Sequence, residues 1–197
     1  MEKKRVAVFA SGGGSNLQAL LDAAAAPDYP ARIVLVFSDK EGARALARGI
    51  AAGAAVAHLD PKAFPDRGAF DEAAGELVEG AGADLICLAG YMRILTPAFV
   101  RRFAGRIMNI HPALLPRFGG PGMYGHHVHE AVLAAGVAES GATVHWVDEG
   151  VDTGRIILQA RVPVLPGDTP ETLAARVLEQ EHRVYPEALA RVCLGTL

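Results

Sequence analysis

The strongest constraint on this chain is an alternation. Over the first 110 residues, five short apolar segments (4–10, 33–37, 55–59, 85–89 and 107–110) are separated by stretches of helical spacing (17–26, 41–52, 66–80 and 97–103). Ile33-Val34-Leu35-Val36-Phe37 is apolar without a break, as in a strand covered on both faces. Strands of this kind joined through helices imply βαβ units and a mainly parallel sheet. End signals agree. Ser15 or Asn16 is placed to cap the first helix, Gly53 to close the second, and Thr96-Pro97 to start the fourth. Beyond residue 110 the pattern loosens. A Pro- and Gly-rich stretch (111–124) reads as loop, 126–135 as helix and 142–147 and 155–164 as strands. Residues 170–192 read as a long helix with a kink expected at Pro186. The expected fold is α/β, a Rossmann-like open sheet with a parallel N-terminal half and mixed C-terminal strands, and no linker divides it.

Composition narrows the function. Hydrophobic residues at 51% and charged residues at 21% allow a sizeable core. A net charge of −3 gives no basic surplus for coating nucleic acid. The longest apolar runs, such as residues 50–57, are far too short for a bilayer. The segment after Met-Glu-Lys-Lys-Arg is too short for a signal-peptide core, so a cytoplasmic location is expected. Cys87 and Cys193 stand alone, which excludes a disulfide framework and argues against a cysteine zinc site. Cys87, inside Leu-Ile-Cys-Leu, reads as a small core residue.

Three segments carry candidate chemistry. Ser11-Gly12-Gly13-Gly14-Ser15-Asn16 follows a strand and opens a helix, where free N–H groups and the helix dipole favour a phosphate. A plain strand-to-helix turn is the alternative. Gly12 and Gly14 fit half of a dinucleotide fingerprint, but Leu17 stands where its third glycine belongs, and a Walker lysine is missing. Asp39, just after the second strand, falls where the ribose-binding acid of a NAD site would lie. Asn109-Ile110-His111-Pro112 ends the fifth strand and puts an amide donor and an imidazole on one side, suited to oxyanion stabilisation and proton transfer or simply to a turn. Asp148-Glu149-Gly150-Val151-Asp152-Thr153-Gly154 could orient a histidine or be a solvated acidic turn. His126, His127 and His129 match no metal spacing, so no metal is expected. His145 faces opposite to Val144 and Trp146, as a half-buried histidine or a pocket wall.

In this order, these segments resemble the glycinamide ribonucleotide formyltransferases of the folate-dependent formyltransferase family. The likeness extends through Leu88-Ala89-Gly90-Tyr91-Met92-Arg93-Ile94-Leu95, Asn109 to Pro116, Gly141 to His145 and Gln180-Glu181-His182-x-x-Tyr185-Pro186, nearly the whole chain. It implies a single formyltransferase domain over 1–197, with a mononucleotide-binding half (1–110) and a folate-side, catalytic half (111–197). It implies formyl transfer from 10-formyltetrahydrofolate, as co-substrate, to the amine of glycinamide ribonucleotide in purine biosynthesis. On that resemblance Asn109, His111 and Asp152 are the catalytic trio. Gly12, Gly13, Gly14, Ser15 and Asn16 hold the phosphate, and Glu181 the ribose. Arg67, Met92, Arg93, Ile94, Leu95, Asn109, Asp148, Glu149, Gly150, Val151 and Asp152 surround the formyl-folate.

The chain departs from many relatives at Arg117 to His126, a longer Gly-Met-Tyr-Gly version, so His126, His127 and His129 receive no catalytic role. A formyltetrahydrofolate hydrolase shares the trio but carries an N-terminal regulatory domain, and a methionyl-tRNA formyltransferase a C-terminal RNA-binding one. Neither extension is expected here. From another class, a NAD-binding oxidoreductase would rest on Asp39, Gly12 and Gly14 alone, and a non-catalytic nucleotide-binding module would leave the trio unexplained. Small-molecule substrates are the expected partners, without nucleic acid or membrane; a homodimer is left open.

Overall fold

In the computed structural model, residues 2–197 are described. The parallel strands are β1 (Lys4–Phe9), β2 (Ala31–Ser38), β3 (Ala55–His58), β4 (Leu85–Leu88) and β5 (Ile107–His111). They alternate with α1 (Ser15–Ala24), α2 (Arg44–Ala51), α3 (Arg67–Gly80) and α4 (Pro97–Arg102). Then come α5 (His126–Ala134), β6 (Glu139–Trp146), β7 (Ile156–Pro163) and α6 (Pro170–Leu194). The seven strands form one sheet in the order β3-β2-β1-β4-β5-β6-β7. β1 to β5 pair in parallel, and β6 and β7 continue antiparallel. This is the expected open mixed sheet.

The uninterrupted apolar runs divide by alternation between two layers. Val6, Val8 and Cys87 pack with Leu17 and Leu20 of α1 and with Leu173, Val177 and Leu189 of α6. Ala7, Phe9, Phe37 and Ile86 pack with Phe70 and Val78 of α3 and with Phe99 and Phe103 of α4. Phe9 lies at the centre of the second layer, with ring centroids 4.7 Å from Phe37, 5.4 Å from Tyr91 and 6.0 Å from Phe99. Cys87 is fully buried, and burial pushes its thiol up to about 12. Thr96 caps α4, accepting from Phe99 N at 3.3 Å with Pro97 in the first turn. No helix of the described residues is long and apolar enough to cross a membrane.

α6 is the expected long helix, and it continues through Pro186 to Leu194 without a break. It is secured at both ends and in the middle. Thr169 and Thr172 form a reciprocal capping box, and Gly195 ends the helix in the left-handed region at φ 68°. Tyr185 Oη, fully buried, lies 3.0 Å from Leu88 O and 3.2 Å from Met108 O, fastening the helix under the ends of β4 and β5. In the turn before α6, Asp168 accepts two hydrogen bonds from Arg176, at 2.7 and 2.8 Å, and one from Leu165 N at 2.7 Å. The Arg176 guanidinium, foremost, holds the Asp168 carboxyl well below the usual carboxylate range.

Two tests follow from this packing. Truncation of Phe9 to Ala should destabilise the chain by about 3–5 kcal/mol, read from denaturant unfolding at pH 7. The folded-state carboxyl of Asp168 titrates below its unfolded value. Its stabilisation is therefore complete above the unfolded value and disappears as pH falls through the folded one. Asp168→Asn should accordingly be less stable than the parent at pH 7, with the gap closing on acidification below about pH 4. A gap that stays constant down to pH 2 would contradict this origin.

Candidate active site

All parallel strands deliver their C-terminal ends to one edge of the sheet, and the crossovers reverse direction at β1, where β2 lies on one side and β4 on the other. A crevice opens at such a switch point. Here it is a cavity of about 640 Å³, bounded by the segment after β4, the end of β5, residues 120–126, the loop after β6 and one face of α6.

The glycine loop leaves β1 beside this crevice. Gly14, at φ 71°, is the N-cap of α1; Ser15 and Asn16 do not cap it but form its first turn. A Cβ on Gly14 would come within 3.0 Å of both Cα and Cβ of Ala45, so glycine is needed there for conformation and for space. At Gly12 and Gly13 a Cβ would meet nothing, and the space above them is open. Their carbonyls are taken by α2: Ala45 N donates to Gly12 O (3.1 Å) and Arg48 Nε to Gly13 O (2.8 Å). The first-turn N–H groups of α1, including those of Ser15 and Asn16, have no intrahelical acceptor, which suits an anion.

Asn16 is buried, and its Nδ2 donates to Glu181 Oε2 at 2.6 Å; both residues line the cavity. Glu181 is therefore no exposed helical acid. Burial pushes its carboxyl up, against the lowering effect of the Asn16 bond. Asn16 Oδ1 is also buried and unpartnered among the described residues. One end of the cavity thus presents acceptors in need of donors.

At the other end, Met92, Arg93, Ile94 and Leu95 line the wall. Arg93 stacks over the Phe70 ring at 4.8 Å. Arg67 is not on the wall; its Nη2 donates to Ile94 O at 2.6 Å and braces the segment from behind. Asp148, Gly150, Val151 and Asp152 face the cavity, whereas Glu149 turns outward to Arg101 at 2.8 Å. Asp148 Oδ1 shapes this loop by accepting from Gly150 N (3.0 Å) and Thr153 Oγ1 (2.6 Å).

Asn109, His111 and Asp152 meet between these ends. The β5–β6 register sets Asn109 opposite His145. His145 Nδ1 lies 2.8 Å from Trp146 O, and a carbonyl can only accept, so this nitrogen carries the proton. Nε2 then accepts from Asn109 Nδ2 at 3.1 Å. Burial, foremost, lowers the His145 pKa, against the Trp146 bond and the Asp152 charge, which supports the neutral ring. The amide of Asn109 is thereby fixed, and its second N–H is left for the cavity. His111 Nε2 is bonded to Phe118 O at 2.7 Å, so by the same logic Nε2 is protonated and Nδ1 faces Asp152 Oδ2, 3.6 Å away. Asp152 is held in the left-handed region at φ 57°, accepts from Gly120 N at 3.1 Å, and lies 3.7 Å from His145 Nε2. A Cβ on Gly119 would lie 2.5 Å from Leu115 Cδ2 and 3.2 Å from Asp152 Cβ, so the loop packs closely against Asp152 there.

His145, read as a half-buried histidine or a pocket wall, is buried and lines the cavity. Ala174 and Leu178 line it with no role expected from the sequence; with Glu181 they form one face of α6, and their i, i+4, i+7 spacing was the available signal. His129 is buried on the wall, its pKa lowered by burial and then by His126 and His111. His126 and His127 pair with Glu130 at 3.3 and 3.2 Å. Among the described residues no cluster of three or more His, Cys, Asp or Glu could hold a metal ion. Asp39 is 4% exposed and receives the Ser11 hydroxyl at 2.6 Å, so it does not present a carboxylate to a ribose.

Comparison with known proteins gives the chain a family. The sequence model of the Formyl transferase family matches residues 4–189. The chain is 51% identical over 197 residues to the trifunctional purine biosynthetic protein adenosine-3 of Drosophila pseudoobscura pseudoobscura, across 99% of this chain but only 14% of that protein's length. It is 45% identical to phosphoribosylglycinamide formyltransferase of Haemophilus influenzae, covering 93% of this chain and 84% of the relative. The crystal structure of phosphoribosylglycinamide formyltransferase from Brucella melitensis superposes with a TM-score of 0.91 at 50% identity, covering 100% of this chain and 98% of that one. By fold, by site and by a match over nearly its full length, the chain belongs to the Formyl transferase family.

Proposed function

We propose that this chain transfers the formyl group of 10-formyltetrahydrofolate to the primary amine of glycinamide ribonucleotide. The observation that carries the reading is one cavity with three parts. Asn16 and Glu181 stand beside a helix start suited to an anion, Met92 to Leu95 form the opposite wall, and Asn109, His111 and Asp152 lie between. Its volume is in the range of sites for drug-sized ligands. The names of the relatives point to the same acceptor and to a formyl group as what is transferred.

The folate supplies a formyl carbon attached to a nitrogen that can leave. The amine–carbon bond forms, the carbon–folate nitrogen bond breaks, and one proton passes from the amine to that nitrogen. Asn109, oriented by His145, donates its free N–H to the oxygen that gains charge as the amine adds. His111 and Asp152 face the cavity side by side, 3.6 Å apart, beyond direct hydrogen-bond distance, so a proton passes between them through one water or after the pair closes on the substrates. The first-turn N–H groups at Ser15 and Asn16, with Gly12 to Gly14 beneath them, take the phosphate, and Glu181 accepts from the ribose hydroxyls. Holding both substrates in one cavity removes much of the entropic barrier. The Asp148–Asp152 loop covers the pterin side; within it Glu149, paired with Arg101, serves loop position, as Arg67 does for Ile94.

A transfer assay with both substrates should give formylated ribonucleotide and free tetrahydrofolate in equal amounts. Asn109→Ala or His111→Ala should cut kcat by about a hundredfold or more while the fold is kept. Folate release that does not require the ribonucleotide would overturn the reading in favour of a hydrolase. Glu181→Gln separates binding from stability. Removing a buried charge should raise the thermal midpoint, while loss of a charged acceptor should raise KM for the ribonucleotide about tenfold and leave KM for the folate unchanged.

A further inference from the structure

Ser11 lies where the two loops used by this reaction meet, and it is engaged on both sides. Its backbone N–H donates to Gly90 O at 3.0 Å, one step beyond the Ala89 N to Phe9 O bond (2.8 Å), so the β1–β4 ladder continues past the strands into both loops. Its hydroxyl accepts from Met92 N at 2.9 Å and donates to Asp39 Oδ1 at 2.6 Å. A hydroxyl that donates to one fixed group and accepts from another has no free rotor. The acceptor that aims it is a carboxylate buried at the end of β2, and a charged acceptor makes the stronger bond.

Among the described residues, these two contacts of Ser11 are the hydrogen bonds joining residues 11–16 to residues 90–95. The segment they hold is braced further along by Arg67 at Ile94 O (2.6 Å) and by Arg93 over Phe70, while at Met92, 54% exposed, the bond to Ser11 fixes the backbone. Gly12, the next residue after Ser11, begins the open part of the anion loop. A displacement of that loop that carries Ser11 with it moves the acceptor of the Met92 N–H, and a displacement of Met92 pulls on Ser11 in turn.

We propose that Ser11, aimed by Asp39, is a positioning residue that couples the two substrate subsites, so that order imposed on one loop by its ligand is passed to the other. This rests on the assignment of the glycine loop to the ribonucleotide and of Met92 to Leu95 to the folate. Coupling of this kind is reciprocal: each ligand changes the affinity of the other by the same factor.

Calorimetric titration with tetrahydrofolate, which has no formyl group to transfer, in the absence and presence of saturating glycinamide ribonucleotide measures that factor directly; the converse titration must return the same value. In the wild-type chain the factor should be about fivefold or more. Ser11→Ala should bring it close to one while each ligand still binds alone, and Asp39→Ala should do the same. Asp39→Asn should restore it, because the amide oxygen accepts the same hydrogen. A merely structural role would lower both affinities and leave their ratio in place. The proposal is overturned if Ser11→Ala keeps the wild-type factor, or if the wild-type chain binds both ligands without one. Failure of the wild-type chain to bind either ligand would instead overturn the subsite assignment, and this coupling with it.

Discussion

Everything in this structure depends on β1 being covered on both faces. Val6 and Val8 go into one helical layer and Ala7 and Phe9 into the other, and all four are completely buried. A strand dressed in this way has to be central, with parallel neighbours and crossover helices on either side. The chain builds outward from it through β2 and β3, then returns to build through β4 and β5. That reversal leaves the loops after β1 and β4 with no helix packed between them, and the crevice lies there. The site is thus a consequence of how the core is filled rather than a hollow added to it.

The chemistry in the crevice relies on polar groups whose protonation and orientation are settled before any ligand arrives. A carbonyl beside each of two histidines decides which nitrogen holds the proton, and each decision passes to a neighbour: from Trp146 to His145 to Asn109, and from Phe118 to His111 toward Asp152. Buried groups are costly to leave half-satisfied. Asn16 Oδ1 and the raised Glu181 carboxyl are kept in that condition on the wall where a polyhydroxylated ligand would supply donors. With Glu181 assigned to the ribose, as in the proposed function, donors arriving with the substrate would recover part of that cost and favour a hydroxyl-bearing ligand.

Much of this was legible in the sequence, for identifiable reasons. A continuous apolar run such as Leu85-Ile86-Cys87-Leu88 has one reading in a chain that also shows helices between its runs, so the parallel sheet could be read directly. The Asn109-His111 spacing placed both side chains at a strand end, and there they are. What stayed hidden is what depends on distant packing. Glu149 and Asp148 are adjacent acids in one loop, yet Arg101 on another element draws one outward. Pro186 cannot donate to the helix ladder, and that α6 runs on unbroken past it goes with the distant anchor of Tyr185 on Leu88 O. Asp39 had the spacing of a ribose acid, and only the position of Ser11 shows that it is occupied. The helix cap was assigned to side chains with good capping chemistry, whereas the backbone turn was made by the residue before them.

That turn has a consequence for how such a chain can change over time. A side chain at Gly14 would meet both the Cα and the Cβ of Ala45, and trimming Ala45 to glycine would remove only the second of these contacts. A clash that is half backbone cannot be relieved by a compensating exchange at the facing position. The anion loop and α2 are therefore bound to one another's history, and variation in this part of the molecule has to enter where there is room, at the open positions above the loop.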